Sequence, residues 1–322
     1  VPRRAALLVV TLLAAELTGG LAHAGAQDAG APLDAPIAPA TPDAVLPGGV
    51  ARVGPSTPEE AAADPSLTTA EPGDWLDAGA ARCIRRGPLR GKCDGPRRVP
   101  RPYGADAERA RALGLGATNV AARLLIGAPD PRWVAAARDA SPATPANDLL
   151  FPVAGGELWR GYGATRRGRR RHNHQGVDIG AAAGTPFRAV NDGIVAYSDN
   201  GLRGYGNLLI VVHPDASATF YAHCRAAYVF AGQLVRRGQV LGEVGATGFS
   251  RGEHLHLEWH SAGAGRNPLG HFAALPAGMT PTAAQLEERS LPLDRSVFHR
   301  PRGRHPGRGA PPPARPRSRR AP

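Results

Sequence analysis

The stretch NLLIVVHPDASATFYAHC, residues 207–224, decides how the chain folds. Two runs rich in β-branched and aromatic residues flank a Pro-Asp pair, so the segment reads as strand, turn, strand. TPFRAVNDGIVAYS, residues 185–198, gives the same reading around Asn-Asp-Gly, and QLVRRGQVLGEV, residues 233–244, adds two more short pieces. Turns at this spacing predict a mainly β fold, with an antiparallel β-sheet domain over residues 149–275.

Outside that domain the texture changes. ADAERARALGLG, ATNVAARLLIG and DPRWVAAARDA, between residues 105 and 140, are short Ala-rich helical patterns separated by Gly and Pro. They predict a small α-helical region within residues 74–148. Residues 25–73 are rich in Ala, Pro, Asp and Gly without a sustained apolar period, the composition of a disordered linker. The closing segment, residues 276–322, offers a short helix at AAQLEERS and then an Arg-Pro-Gly tail expected to be disordered. The 32 prolines, 41 glycines and 5% aromatics fit one packed domain with flanks better than two full domains.

Residues 1–24 carry a basic start, an apolar AALLVVTLLAA and an Ala22-His23-Ala24 exit, the pattern of a signal peptide. Glu16 interrupts the apolar run short of the ~20 residues a membrane span needs, so no transmembrane anchor is expected. An exported, periplasmic or extracellular protein associated with the cell envelope follows. Export permits a disulfide between Cys83 and Cys93, leaving Cys224 over. The net charge of +12 is concentrated in residues 82–101, in RRGRRR at 166–171 and in the tail. Anionic envelope polymers are its expected partners. Specific nucleic-acid binding is not expected, because aromatic interleaving and any recognisable module are missing.

A catalytic metal site needs three protein ligands and one open position. HNHQGVDIG, residues 172–180, offers His174 and Asp178 on a loop entering a strand. In GEHLHLEWH, residues 252–260, alternation puts Leu255, Leu257 and Trp259 on one face and His254, His256 and Glu258 on the other. In ATFYAHC the same alternation groups Thr219, Tyr221 and His223 against Phe220, Ala222 and Cys224, so Cys224 reads as a small buried hydrophobe. His172, His213, His260 and the tail histidines read as surface or core polar residues. Tyr221 and Asn207 fit either a place near the substrate groove or plain packing and turn roles.

These residues resemble the lysostaphin-type, LytM-like zinc endopeptidases that act on bacterial peptidoglycan. HQGVDIGAAAGTPFRAVNDGIV, GYGNLLIVVH, FYAH, VRRGQVLGEVGATG and HLHLEW carry the resemblance, between Phe151 and Pro268. It implies an antiparallel β-sheet catalytic domain akin to a duplicated hybrid motif. It also implies zinc as cofactor, His174, Asp178 and His256 as metal ligands, and His223 and His254 as the catalytic pair. Peptidoglycan peptide stems are the implied substrate. Two other readings stay open: a non-hydrolytic wall-binding module that activates another hydrolase, and a secreted protease with broader protein substrates.

Overall fold

The structure, a computed structural model, describes residues 55–64, 67, 99–141, 149–166 and 172–292. The expected signal peptide, the Cys83–Cys93 pair, most of RRGRRR and the Arg-rich tail lie outside the described residues.

The strands are β1 (Glu157–Arg160), β2 (Thr165–Arg166), β3 (His172–Asn173), β4 (Val177–Gly180), β5 (Pro186–Arg188), β6 (Gly193–Asp199) and β7 (Asn207–Val212). They continue with β8 (Ala218–Cys224), β9 (Ala226–Ala227), β10 (Leu234–Val235), β11 (Val240–Glu243), β12 (His254–Ser261) and β13 (Ala264–Arg266). One eight-stranded sheet runs in the order β1-β4-β12-β8-β7-β6-β10, with β13 paired to β12. A smaller sheet runs β5-β11-β9, and β2 pairs with β3. All strand pairs are antiparallel, as the sequence predicts.

The Pro-Asp turn joins β7 to β8 as a hairpin in which Val212 faces Ala218. The Asn-Asp-Gly turn does not make a hairpin: β5 pairs with β11 and β6 with β7. Asp192 explains the difference. Its carboxylate accepts from the Arg237 amide at 2.6 Å and from the Ser141 hydroxyl, and its carbonyl meets His213 Nδ1 at 2.7 Å. The turn is therefore tied to three other segments and works as a corner between two sheets.

Each face of the large sheet buries its own core. Val177, Ile179, Leu209, Val211, Tyr221, Leu255 and Leu257 pack toward Phe187 and Leu241 of the small sheet. On the opposite face, Ile194, Ile210, Val212, Phe220 and Ala222 meet the helical layer. That layer contains α2 (Gly104–Leu113), α3 (Thr118–Ile126) and α4 (Pro131–Ala140), preceded in the chain by α1 (Pro58–Ala63). Gly114 closes α2 in the left-handed conformation, and Asp130 caps α4 with Pro131 at its first turn. Val120, Leu124, Leu125, Trp133 and Val134 form the apolar side of α3 and α4.

Part of the stretch expected to be a disordered linker is ordered. Thr57 and Glu60 form a capping box on α1, and Ala61 and Leu67 bury against Leu150. Pairwise capping and two apolar anchors suffice for a six-residue helix that composition alone did not signal. At the other end, AAQLEERS yields α5 (Ala283–Leu286), again with a capping box, from Thr282 and Gln285.

Candidate metal centre

Strand β12 brings the site together. Leu255, Leu257 and Trp259 enter the core below the sheet, so His254, His256 and Glu258 stand on the opposite face. Its register with β4 sets His256 opposite Asp178 and His254 opposite Gly180. His174 lies in the loop entering β4, as its glycine-containing sequence predicts. Gly176 lets that loop run against β12, since a Cβ there would fall 2.1 Å from the Leu257 carbonyl oxygen.

His223 reaches the site by a route that regular alternation does not give. Leu209 pairs with Tyr221 and Asn207 with Cys224, so β8 holds one residue more than β7 over this span. The bulge falls at His223, whose φ is +63°. It turns the imidazole away from the Tyr221 face and onto the face of His254 and His256, with ring centroids 4.9 and 5.7 Å away. The bulge also corrects the face grouping read from the sequence, because Cys224 joins Tyr221 in the core below the sheet. Cys224 is nonetheless a buried small side chain turned away from the site, and burial pushes its thiol pKa up.

Three ligand atoms, from His174, Asp178 and His256, lie within 4.8 Å of one another. Asp178 Oδ1 is 2.8 Å from His174 Nε2 and 2.8 Å from His256 Nδ1, and these nitrogens are 3.1 Å apart. The outward nitrogen of every imidazole meets an acceptor. His174 Nδ1 donates to the Gly161 carbonyl at 2.9 Å, and His256 Nε2 to Glu258 Oε1 at 2.9 Å. His223 Nδ1 donates to the Thr247 carbonyl at 2.8 Å, and His254 Nδ1 to the Gly252 carbonyl at 3.0 Å. With the outward proton fixed, loss of the inward proton leaves each ring a lone pair that faces the site. His254 Nε2 is 3.4 Å from Asp178 Oδ1.

The two carboxylates stay ionised despite their burial. Burial would raise the Asp178 carboxyl pKa, but hydrogen bonds from His174, His254 and His256 hold it well below the usual carboxylate range. Burial acts in the same direction on Glu258, and His256 and His260 hold it down. His256, which burial alone would depress, is pushed up to about 9 by these two carboxylates. Burial lowers His174, and burial together with the neighbouring His256 and His254 lowers His223 to about 3. An ionised carboxylate, Asp178, between the His174 and His256 nitrogens is a donor set that fits a divalent ion of the zinc type. The five residues retain 6–9% exposure, so the cluster is buried without being sealed from solvent.

Residues 172–268 match the model of peptidase family M23. The chain carries an M23 peptidase domain. The domain is 39% identical over 132 residues to the lipoprotein NlpD/LppB homolog of Pseudomonas aeruginosa, covering 40% of this chain and 43% of that protein. It is 40% identical over 118 residues to the DD-carboxypeptidase/endopeptidase Mpg of Neisseria meningitidis serogroup B, covering 37% and 26%. To the murein hydrolase activator NlpD of Escherichia coli it is 36% identical over 127 residues, covering 39% and 32%. The chain thus spans less than half the length of each of these relatives. A zinc-containing peptidase from Vibrio cholerae aligns at 30% identity over 37% of this chain and 38% of that one, with a TM-score of 0.35.

Other polar residues of the M23 domain have packing roles. Tyr221 is fully buried, stacks on Phe187 and accepts from the Val190 amide at 2.9 Å. Asn207 donates to the Cys224 carbonyl at 3.1 Å and steadies the bulge. His213 bridges the Asp192 carbonyl and Thr219 Oγ1 inside the core. The sequence reading passed over two supports of the site. Glu258 receives His256, His260 at 2.8 Å and the Tyr205 hydroxyl at 3.0 Å, so His260 is more than a core filler. The alternation of β12 already placed Glu258 beside His256, and that was the available signal. Nothing local marks Tyr205 or the Gly161, Thr247 and Gly252 carbonyls, which arrive through tertiary folding.

Proposed function

We propose that this protein is an exported zinc endopeptidase that hydrolyses peptide cross-links of bacterial peptidoglycan. The observation that carries the reading is the convergence of four imidazole nitrogens and one carboxylate oxygen, every outward nitrogen being held by a carbonyl or by Glu258. His174, Asp178 and His256 would hold the ion. Bound there, zinc supplies a Lewis acid for the scissile carbonyl and brings the pKa of water toward about 7.

The remaining work falls to His223 and His254. Their Nδ1 atoms are committed to the Thr247 and Gly252 carbonyls, so each can exchange a proton or a hydrogen bond only through Nε2. One removes a proton from the attacking water, and the other donates to the oxygen that gains negative charge. The chain's own basic segments would hold it near anionic wall polymers, an attraction that weakens with salt.

A second reading has support in the likeness to the murein hydrolase activator NlpD: a domain that binds the wall and stimulates another hydrolase. Digestion of purified, cross-linked peptidoglycan by the zinc-loaded protein, with mass spectrometry of the released peptides, separates the two. New peptide termini support the endopeptidase. An intact wall, degraded faster by an added amidase when this protein is present, supports the activator.

A further inference from the structure

Beside His254 the site face continues into a cleft of 390 Å³, lined in part by Glu157, Trp159, Gly180, Ala182 and Glu253. Trp159 owes its position to a second bulge. Leu158 pairs with Ile179 and Arg160 with Asp178, so Trp159 is the extra residue of β1. Its indole lies against the backbone of Gly180, where a Cβ would come within 2.0 Å of Cε2. Gly180 is in turn the register partner of both Glu157 and His254. The ring is therefore fixed, yet it is 55% exposed, and its centroid is 6.0 Å from that of His254.

The charged residues that line this cleft, Glu157 and Glu253, are both acidic. The Glu157 side chain is exposed, and its carboxylate makes no hydrogen bond or ion pair with the described residues. Glu253 uses Oε2 to accept from the Ala183 amide at 2.9 Å and has no cationic partner among the described residues. An exposed indole flanked by carboxylates attracts an alkylammonium group, whose methylenes cover the ring while its charge meets the acids. A neutral or anionic occupant would leave the carboxylates unmatched.

We propose that this cleft is the subsite for an ammonium-bearing residue of the substrate peptide next to the scissile bond, recognised by Trp159, Glu157 and Glu253. The inference rests on the endopeptidase reading for its substrate and deepens it by naming a specificity. The ammonium has two sources in a peptide, a side-chain amine or a free α-amine.

The test uses the full zinc-loaded chain and two kinds of ligand. Product-length peptides without a cleavable bond are titrated calorimetrically, with both amines free, with the side-chain amine acetylated, or with the α-amine acetylated. Cross-linked peptides with the same three patterns are assayed for kcat/KM. The free peptide should bind roughly 10-fold tighter than one of the acetylated forms, and that form identifies the source. In the Glu157→Gln, Glu253→Gln double variant the affinities should converge, and Trp159→Ala should weaken binding of the free peptide. Equal affinities in the parent protein, or a preference that survives the double variant, overturn the subsite. Tight binding of an uncharged glycan fragment lost in Trp159→Ala, with no amine preference, overturns it also. Charge-selective binding without cleavage leaves the subsite standing and removes the endopeptidase; cleavage without amine preference does the reverse.

Discussion

The same face of one sheet has two different fates. Along β6, β7 and β8 it carries Ile194, Ile210, Val212 and Phe220 beneath α3 and α4. One strand further, on β12 and β4, it carries His256, His254, Glu258 and Asp178. The two regions share β8: Phe220 faces Glu258 across the ladder and Ala222 faces His256. The apolar half can be held by non-directional burial, about 1.5–3 kcal/mol for each large side chain. The polar half needs a named partner for each buried atom, because an unmatched one costs about 1–3 kcal/mol. The helical layer thus fixes the strand whose bulge aims His223, while carbonyls and Glu258 fix the rings.

The sharpest way to break this division is to remove the helical layer. A fragment of residues 149–292 would expose the face that Val120, Leu124, Leu125, Trp133 and Val134 cover. Losing five such contacts costs on the order of 10 kcal/mol, comparable to the whole stability of a domain. We expect a fragment of residues 99–292 to unfold cooperatively by circular dichroism, and the shorter one to be unfolded or aggregated. A shorter fragment with a native melting curve would make the helices an independent appendage.

A milder test stays within the apolar half. Leu124 is fully buried, and Leu124→Ala should cost about 2–5 kcal/mol in denaturant unfolding while leaving zinc stoichiometry intact. Loss of metal at temperatures where the variant is folded would show that the two halves are not separable.

The smallest effect is expected in the polar half. Glu258→Gln keeps the shape but removes the charge that His256, His260 and Tyr205 address. Zinc affinity should fall about 10- to 100-fold with little change in melting temperature of the zinc-saturated protein. Unchanged affinity in a chelator competition would reduce Glu258 to a packing residue.

Much of this was legible in the sequence because it depends on period and turn chemistry. Alternation in HLHLEW put both histidines and Glu258 on one face, and HPDA announced a hairpin that is present. The rest was not, for specific reasons. A bulge is set by pairing with a neighbouring strand, so the faces of His223 and Cys224 could not be read from ATFYAHC alone. Asn-Asp-Gly looked like a hairpin because its corner role comes from Arg237, Ser141 and His213, all distant in sequence. Alternation set His223 apart from Cys224 and the family resemblance gave it its catalytic role, but that its ring stands beside His254 depends on the bulge.

We propose that His174, Asp178 and His256 hold a metal ion while His223 and His254 act beside it. Zinc content and peptidoglycan cleavage, measured on His256→Ala and His254→Ala of the full chain, test it most directly. His256→Ala should lose zinc and activity together. His254→Ala should keep close to one zinc per chain while turnover falls by roughly 100- to 10,000-fold, the range for a lost acid or base. An active His256→Ala protein with its zinc in place would contradict the assignment.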